Sequence, residues 1–227
     1  MTTQTIPSQT IPNQTVATLP ASVSKITHET FDVPSYLEEL STTIGKLPVQ
    51  AIDRLAGMFL GAYEKGGTIF LFGNGGSASL ASHMTCDLGK GTSSATGQRL
   101  RAVALTDNVA LITAWANDTR YENIFAEQLE NLLHPGDVAF AISASGNSPN
   151  VLAALNLARR MGAITAGITG FEGGQMKLLC DHCVVVPSDN MQIIEDLHLS
   201  IAHAVFRVVR HGMNSGMEKK HATAVGR

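Results

Sequence analysis

The chain is poor in aromatic residues, in charge and in cysteine, and each shortage removes a class of function. Phe, Tyr and Trp make up 5% of its 227 residues, too few for a platform on which nucleic-acid bases would stack. Charged residues are 15% and the formal net charge is -3. No broad basic surface is expected, and nucleic acid is not expected as a partner. No apolar run approaches the roughly 20 residues that a membrane-crossing helix needs. The first residues lack the basic-then-apolar order of a secretory leader, which makes the cytoplasm the expected compartment. Three cysteines are too few, and odd in number, for a disulfide framework. Cys180 and Cys183 stand in a lone C-D-H-C that runs into Val184, Val185 and Val186. With no second pair to complete a zinc site, they read as buried structural thiols.

What remains, 44% of it hydrophobic, suffices for one domain with a buried interior. The ends stand apart. "TQTIPSQTIPNQT" is a polar near-repeat with neither helical nor strand period. It cannot bury enough apolar surface to offset its ordering entropy, so a disordered N-terminal tail is expected over 1–32. The closing "EKKHATAVGR" is similar, giving a flexible tail over 214–227 and a folded domain over 33–213.

Between the tails, helical and strand patterns alternate. Val49, Ile52, Leu55, Ala56, Phe59, Ala62 and Tyr63 recur at helical spacing until Gly66 and Gly67 end the helix. Continuously apolar runs at 68–72, 102–105, 138–143, 164–169 and 183–187 predict five strands, each leading to a turn and a helical segment. A long helix over about 190–211 closes the domain. Strands apolar on both faces, alternating with helices, make a parallel sheet covered on both sides. Right-handed crossovers make it doubly wound. The expected class is α/β, a flavodoxin-like five-stranded parallel sheet with helices on both faces. Ligands of such folds sit at the carboxyl ends of the strands, near a switch in strand order. The loops after 68–72 and 138–143 are therefore the ones to inspect.

Both suit an anion. Gly73-Asn74-Gly75-Gly76-Ser77 and Ser143-Ala144-Ser145-Gly146-Asn147-Ser148 each join a strand to a helix N-terminus, where free N–H groups and the positive dipole end favour negative charge. Glycine lets the backbone come close to a ligand, and serine hydroxyls add donors. One such loop reads equally well as a plain turn with a capping serine. Two at equivalent strand ends point to a small phosphorylated molecule. Neither has the Gly-Lys-Ser/Thr ending of a nucleotide-binding loop or the dinucleotide G-x-G-x-x-G. Behind the first loop, His83 and Asp87 lie four apart, on one helical face. In the late helix, His198 and His203 point about 140° apart and cannot share one small site. Glu195 and His203 differ by about 80° and about 12 Å of rise, so they meet only if Glu195 lies in a frayed first turn. Glu195 and His198 face alike, as a structural pair would.

"GNGGS" with the His83–Asp87 helix, "SASGNSPNV", and a late helix with Glu195 and His203 together resemble the sugar-isomerase (SIS) domain. Within it, the chain resembles the phosphoheptose isomerases, which convert sedoheptulose 7-phosphate into a heptose 7-phosphate. The likeness runs from about 35 to 212. It implies phosphate-binding hydroxyls at Ser77, Ser143, Ser145 and Ser148, and further substrate contacts at Asn74, Gly75, Gly76, Asp107 and Gln192. It implies zinc at His83, Asp87, Glu195 and His203, with Asp87 and His203 as the catalytic acid–base pair. It also implies a homotetramer with sites between subunits. Ala144 stands where a hydroxyl residue is often found, Asp87 where the family has glutamate, and Glu195 where it has glutamine. Aldose–ketose isomerisation moves a proton between adjacent carbons through an enediol, and needs an acid and a base tuned toward neutrality. Two alternatives stay open at this point: a non-catalytic SIS protein that binds a replication-initiation partner, and an isomerase of another sugar phosphate. Two histidines and two carboxylates at the active positions favour an enzyme.

Overall fold

The computed structural model describes residues 32–92 and 99–225. The N-terminal tail expected over 1–32 lies outside the described residues, except for Asp32, which has a defined role. Its carboxylate accepts the Ser35 N–H at 2.8 Å and Ser35 Oγ accepts the Asp32 N–H at 3.3 Å, a reciprocal cap that starts α1, Val33–Ile44.

The remaining elements alternate as expected. They are α2 Val49–Glu64, β1 Thr68–Gly73, α3 Gly76–Gly91, β2 Arg101–Ala104 and α4 Val109–Asp118, then a 3-10 turn Tyr121–Asn123. After it come α5 Ala126–Leu132, β3 Val138–Ile142, α6 Pro149–Arg160, β4 Ile164–Thr169, α7 Met176–Leu179, β5 His182–Val185 and α8 Met191–Val225. The five strands lie in the order β2-β1-β3-β4-β5, every pair parallel. Strand order therefore reverses between β1 and β3, the place where doubly wound folds bind ligands. Register makes that place a site: Gly73 pairs with Ile142, so β1 and β3 end level and their loops leave the sheet side by side.

Alternation along the central strands sends neighbouring side chains to opposite faces, and both faces are covered. Ile69, Leu71, Phe140 and Ile142 join Leu55, Phe59 and the α8 residues Leu197 and Val205 on one side. Phe70, Phe72, Ala139 and Ala141 meet Phe125, Leu129, Val151 and Leu155 on the other. Edge-to-face packing of Phe59 on Phe140, with ring centres 5.2 Å apart, ties α2 to the sheet.

Four details differ from the sequence reading. β2 is an edge strand with Val103 exposed, so it is covered on one face only. Cys180 and Cys183 are half-buried rather than buried. Contact with Cys183, with burial adding to it, pushes the Cys180 thiol pKa up. α8 does not stop near 211 but runs to Val225, through most of the stretch expected as a flexible tail. That segment contains no proline, and its Met, Glu, Lys and Ala are good helix formers. The fourth concerns the covering of the sheet, which is thinner than expected at α4: Ile112, Trp115 and Ala116 pack on the core, yet no residue of this helix is fully buried.

Candidate active site

Close packing explains the first loop. A Cβ on Gly73 would lie 2.5 Å from the Ile142 carbonyl oxygen, so the level strand ends admit only glycine there. Gly75 has φ 55 and precedes α3, and the Asn74 carbonyl accepts the Ser77 N–H at 3.0 Å. The second loop is held from outside. The α7 end supplies the Met176 N–H to the Gly146 carbonyl and the Gln175 N–H to Asn147 Oδ1, both at 3.0 Å. Between the two loops lies a cleft of about 280 Å³. Asn74, Gly75, Gly76 and Ser77 form one wall, Ser143, Ser145 and Ser148 the other, and Met191 and Glu195 reach in from α8. Ser143 Oγ and Ser148 Oγ are 3.2 Å apart. Seven of the expected substrate residues thus converge on one cleft. Asp107 and Gln192 do not line it. The Asp107 carboxylate accepts a hydrogen bond from the Ser82 hydroxyl, and exposed Gln192 gives its backbone N–H to Asn190 Oδ1 at 3.2 Å.

A second cleft of about 340 Å³ continues from the first, sharing Gly76 and Glu195 and adding Ser79, His83 and Asp196. At its edge three expected residues meet. His83 Nε2 lies 2.9 Å from His203 Nε2 and 3.4 Å from Asp87 Oδ2, and His203 Nε2 lies 3.9 Å from Asp87 Oδ2. α3 supplies two of them at i and i+4, and α8 supplies the third by crossing α3. The side chains are 47%, 29% and 50% exposed for His83, Asp87 and His203, open enough for a substrate to reach.

Two imidazole nitrogens and a carboxylate oxygen form a donor set that zinc takes. Bonds near 2.0–2.1 Å to a tetrahedral ion space its ligand atoms about 3.3 Å apart, and the observed separations bracket that value. Glu195 is not in the group. α8 is regular from Met191, so no frayed first turn offsets the rise between Glu195 and His203. Its carboxylate instead packs on Gly76, 3.0 Å from where a Cβ would stand. His198 does not pair with Glu195 either. It is 1% exposed, and burial lowers its pKa to about 4, opposed by a hydrogen bond with the Thr169 backbone.

Three residues around the clefts were not singled out in the sequence. Asn150 is buried and bonds Asn74. Tyr121 bonds Asn74 as well, at 3.2 Å. Tyr36 donates to Asp196 at 2.6 Å, and that bond raises the tyrosine pKa to about 12. "SPNV" was part of the motif, so Asn150 was within reach. Nothing local marks Tyr36 or Tyr121, because their partners are distant in the sequence.

The profile of the SIS domain family matches residues 35–170. A probable phosphoheptose isomerase of Thermoplasma acidophilum is 38% identical over 178 residues, which is 78% of this chain and 97% of that protein. The phosphoheptose isomerase of Paramagnetospirillum magneticum is 41% identical over 173 residues, 76% and 89% of the two chains. Among solved structures, the phosphoheptose isomerase GmhA of Neisseria gonorrhoeae superposes with a TM-score of 0.73 at 29% identity, covering 78% of this chain and 96% of that one. The phosphoheptose isomerase of Francisella tularensis gives 0.73 at 31% identity, covering 79% and 96%. The serine-lined switch-point cleft thus sits in a chain that belongs to the SIS-domain family, among the phosphoheptose isomerases.

Proposed function

We propose that the protein is an aldose–ketose isomerase that converts sedoheptulose 7-phosphate into D-glycero-D-manno-heptose 7-phosphate through an enediol. The names of its relatives support this reading, and one observation carries it. The serine-lined cleft runs, past Gly76 and Glu195, into the cleft that ends at His83. A heptulose 7-phosphate has the same layout, with its phosphate at one end and the reacting C1–C2 pair at the other. Ser77 and His83 are six residues apart on α3, about 9 Å of rise. An extended chain advances about 1.2 Å per bond, so six carbon–carbon bonds cover roughly 7 Å and the phosphate ester completes the span. A pentose 5-phosphate falls short by about 2.4 Å on the same scale.

Ser77, Ser143, Ser145 and Ser148, with the backbone N–H groups opening α3, hold the phosphoryl group. Asp87 and His203 are the acid–base pair that moves the proton between C1 and C2. Aspartate is shorter than glutamate by one methylene, yet helical spacing within α3 puts Asp87 Oδ2 3.4 Å from His83, and the approach of α8 brings His203 to 3.9 Å. His83, Asp87 and His203 would hold a zinc ion, with Glu195 outside the group on the cleft that it shares with His83. When bound, such an ion polarises the sugar carbonyl and offsets the carboxylate charge. The homotetramer belongs to the same proposal, supported by the exposed Val109 and Leu111 on the shallowly packed α4. The test is a panel of ketose and aldose phosphates of five to seven carbons followed by NMR. Interconversion of the heptose pair, faster than that of shorter sugars, is expected; no turnover of the heptose pair would overturn the proposal.

A further inference from the structure

Asn74 and Asn150 face each other across the strand-order switch. Asn74 Nδ2 donates to Asn150 Oδ1 at 2.9 Å, and Asn150 Nδ2 donates to Asn74 Oδ1 at 2.8 Å. A reciprocal amide pair can be drawn two ways, since oxygen and nitrogen exchange without changing shape. One neighbour removes the ambiguity. The Val151 N–H contacts Asn150 Oδ1 at 3.0 Å, and a backbone N–H is a donor only. The atom it meets is therefore the oxygen of Asn150, which leaves the nitrogen of Asn150 facing the oxygen of Asn74. Tyr121 then donates its hydroxyl to that same Asn74 Oδ1 at 3.2 Å.

Counting follows from this. The carbonyl oxygen of Asn74 has two lone pairs, and Asn150 and Tyr121 fill both. Its amide nitrogen has two hydrogens, and Asn150 takes one. What remains is a single N–H, on a residue that lines the serine cleft. We infer that Asn150 is a positioning residue: it clamps Asn74 so that the side chain offers the cleft one donor and no acceptor. The clamp also ties the β1–α3 loop to the first turn of α6, fixing the separation of Ser77 from Ser143 and Ser148. Asn150 is only 2% exposed and does not line the cleft, so it acts through Asn74 and not on the ligand. A donor-only edge suits a phosphoryl or hydroxyl oxygen and rejects a competing donor. The inference rests on the proposed sugar-phosphate reading of the cleft and adds the division of labour within it.

Asn150→Asp keeps the acceptor for Val151 but sets an oxygen against Asn74 Oδ1, and because both carboxylate oxygens are acceptors no turn of the Asn74 amide restores the pair, so the clamp opens and Asn74 loses its fixed donor. KM for sedoheptulose 7-phosphate and the Kd of inorganic phosphate should both rise about tenfold, the scale of one lost hydrogen bond to a charged group. kcat should change by less than about threefold, because the reacting end is untouched. In an Asn74→Ala background the Asn150→Asp change should add nothing to either constant. If Asn150→Asp does not fold, Tyr121→Phe, at an exposed side chain, gives the same reading: a rise of about twofold to threefold that vanishes with Asn74→Ala. Effects that multiply in the double variants, or a fall in kcat with KM unchanged, would overturn the clamp while leaving the isomerase proposal intact. Failure of the unmodified protein to bind phosphate would overturn both.

Discussion

At the scale of single residues, two histidines show how burial decides the role of a side chain. His203 is half exposed and meets His83 and Asp87; His198, five positions earlier, is sealed under the same helix. His203→Ala and Asp87→Asn should each lower turnover by about 100-fold or more, as loss of a general acid or base does, with melting temperature little changed. Full activity in either variant would remove that residue from the proton transfer. His198 makes a different prediction. Its folded pKa of about 4 lies below the ordinary 6.5, so between those values the unfolded chain takes up a proton that the folded chain refuses. Stability therefore falls as pH drops from 6.5 toward 4, and above 6.5 this group adds no slope. The loss is at most about 3 kcal/mol. His198→Gln should show a shallower fall in melting temperature across that window, and parallel curves would refute the assignment. Helical spacing in the sequence separated His198 from His203 and joined His83 to Asp87, because those relations are local. Glu195 was placed with them by resemblance alone, and the rise of a regular helix keeps it out of the group.

At the scale of elements, the strands and the two βα loops were the most legible part of the chain. β1, β3 and β4 are apolar on both faces because both faces are buried, so composition alone betrays them. β2 betrays less, as an edge strand covered on one side. α1 and the far end of α8 went unread, since α1 rests on a cap built by Asp32 and Ser35 and keeps Val33 and Leu37 exposed. The serine loop after β3 depends on a neighbour that no local pattern reveals. Gly146 has φ 63, and a Cβ there would lie 2.3 Å from the Gly173 carbonyl oxygen. Gly146→Ala should cost about 1–3 kcal/mol for the left-handed backbone alone, with the clash against the α7 approach added. Thermal melts should show the destabilisation and phosphate titration a weakened affinity. A variant unchanged in both would show that the loop tolerates another path.

At the scale of the whole molecule, the exposed apolar residues of α4 are one feature a lone chain leaves unexplained. Val109 is 67% exposed and Leu111 39%, on a helix with no buried residue. The two lie two positions apart, on opposite flanks of the face that Ile112, Trp115 and Ala116 turn to the core, and a partner seated over this shallowly packed helix would cover both. Val109→Asp with Leu111→Asp should shift the mass seen by light scattering from a multimer to a single chain. An unchanged multimer, or a single chain before any substitution, would send the search for the subunit interface elsewhere or end it.

The joining of α3 to α8 has a consequence for the order in which the protein acquires its abilities. His83 and His203 are 120 positions apart, whereas the serines of both loops have all been made by residue 148. Synthesis at about 5–20 residues per second puts roughly 6–24 s between the two histidines. A growing chain thus possesses every serine of its proposed anion cradle before it possesses His203. On the proposed reading, the serines that would hold the phosphate are all made before the last long helix, which brings Met191 and Glu195 to the cleft and His203 to His83 and Asp87.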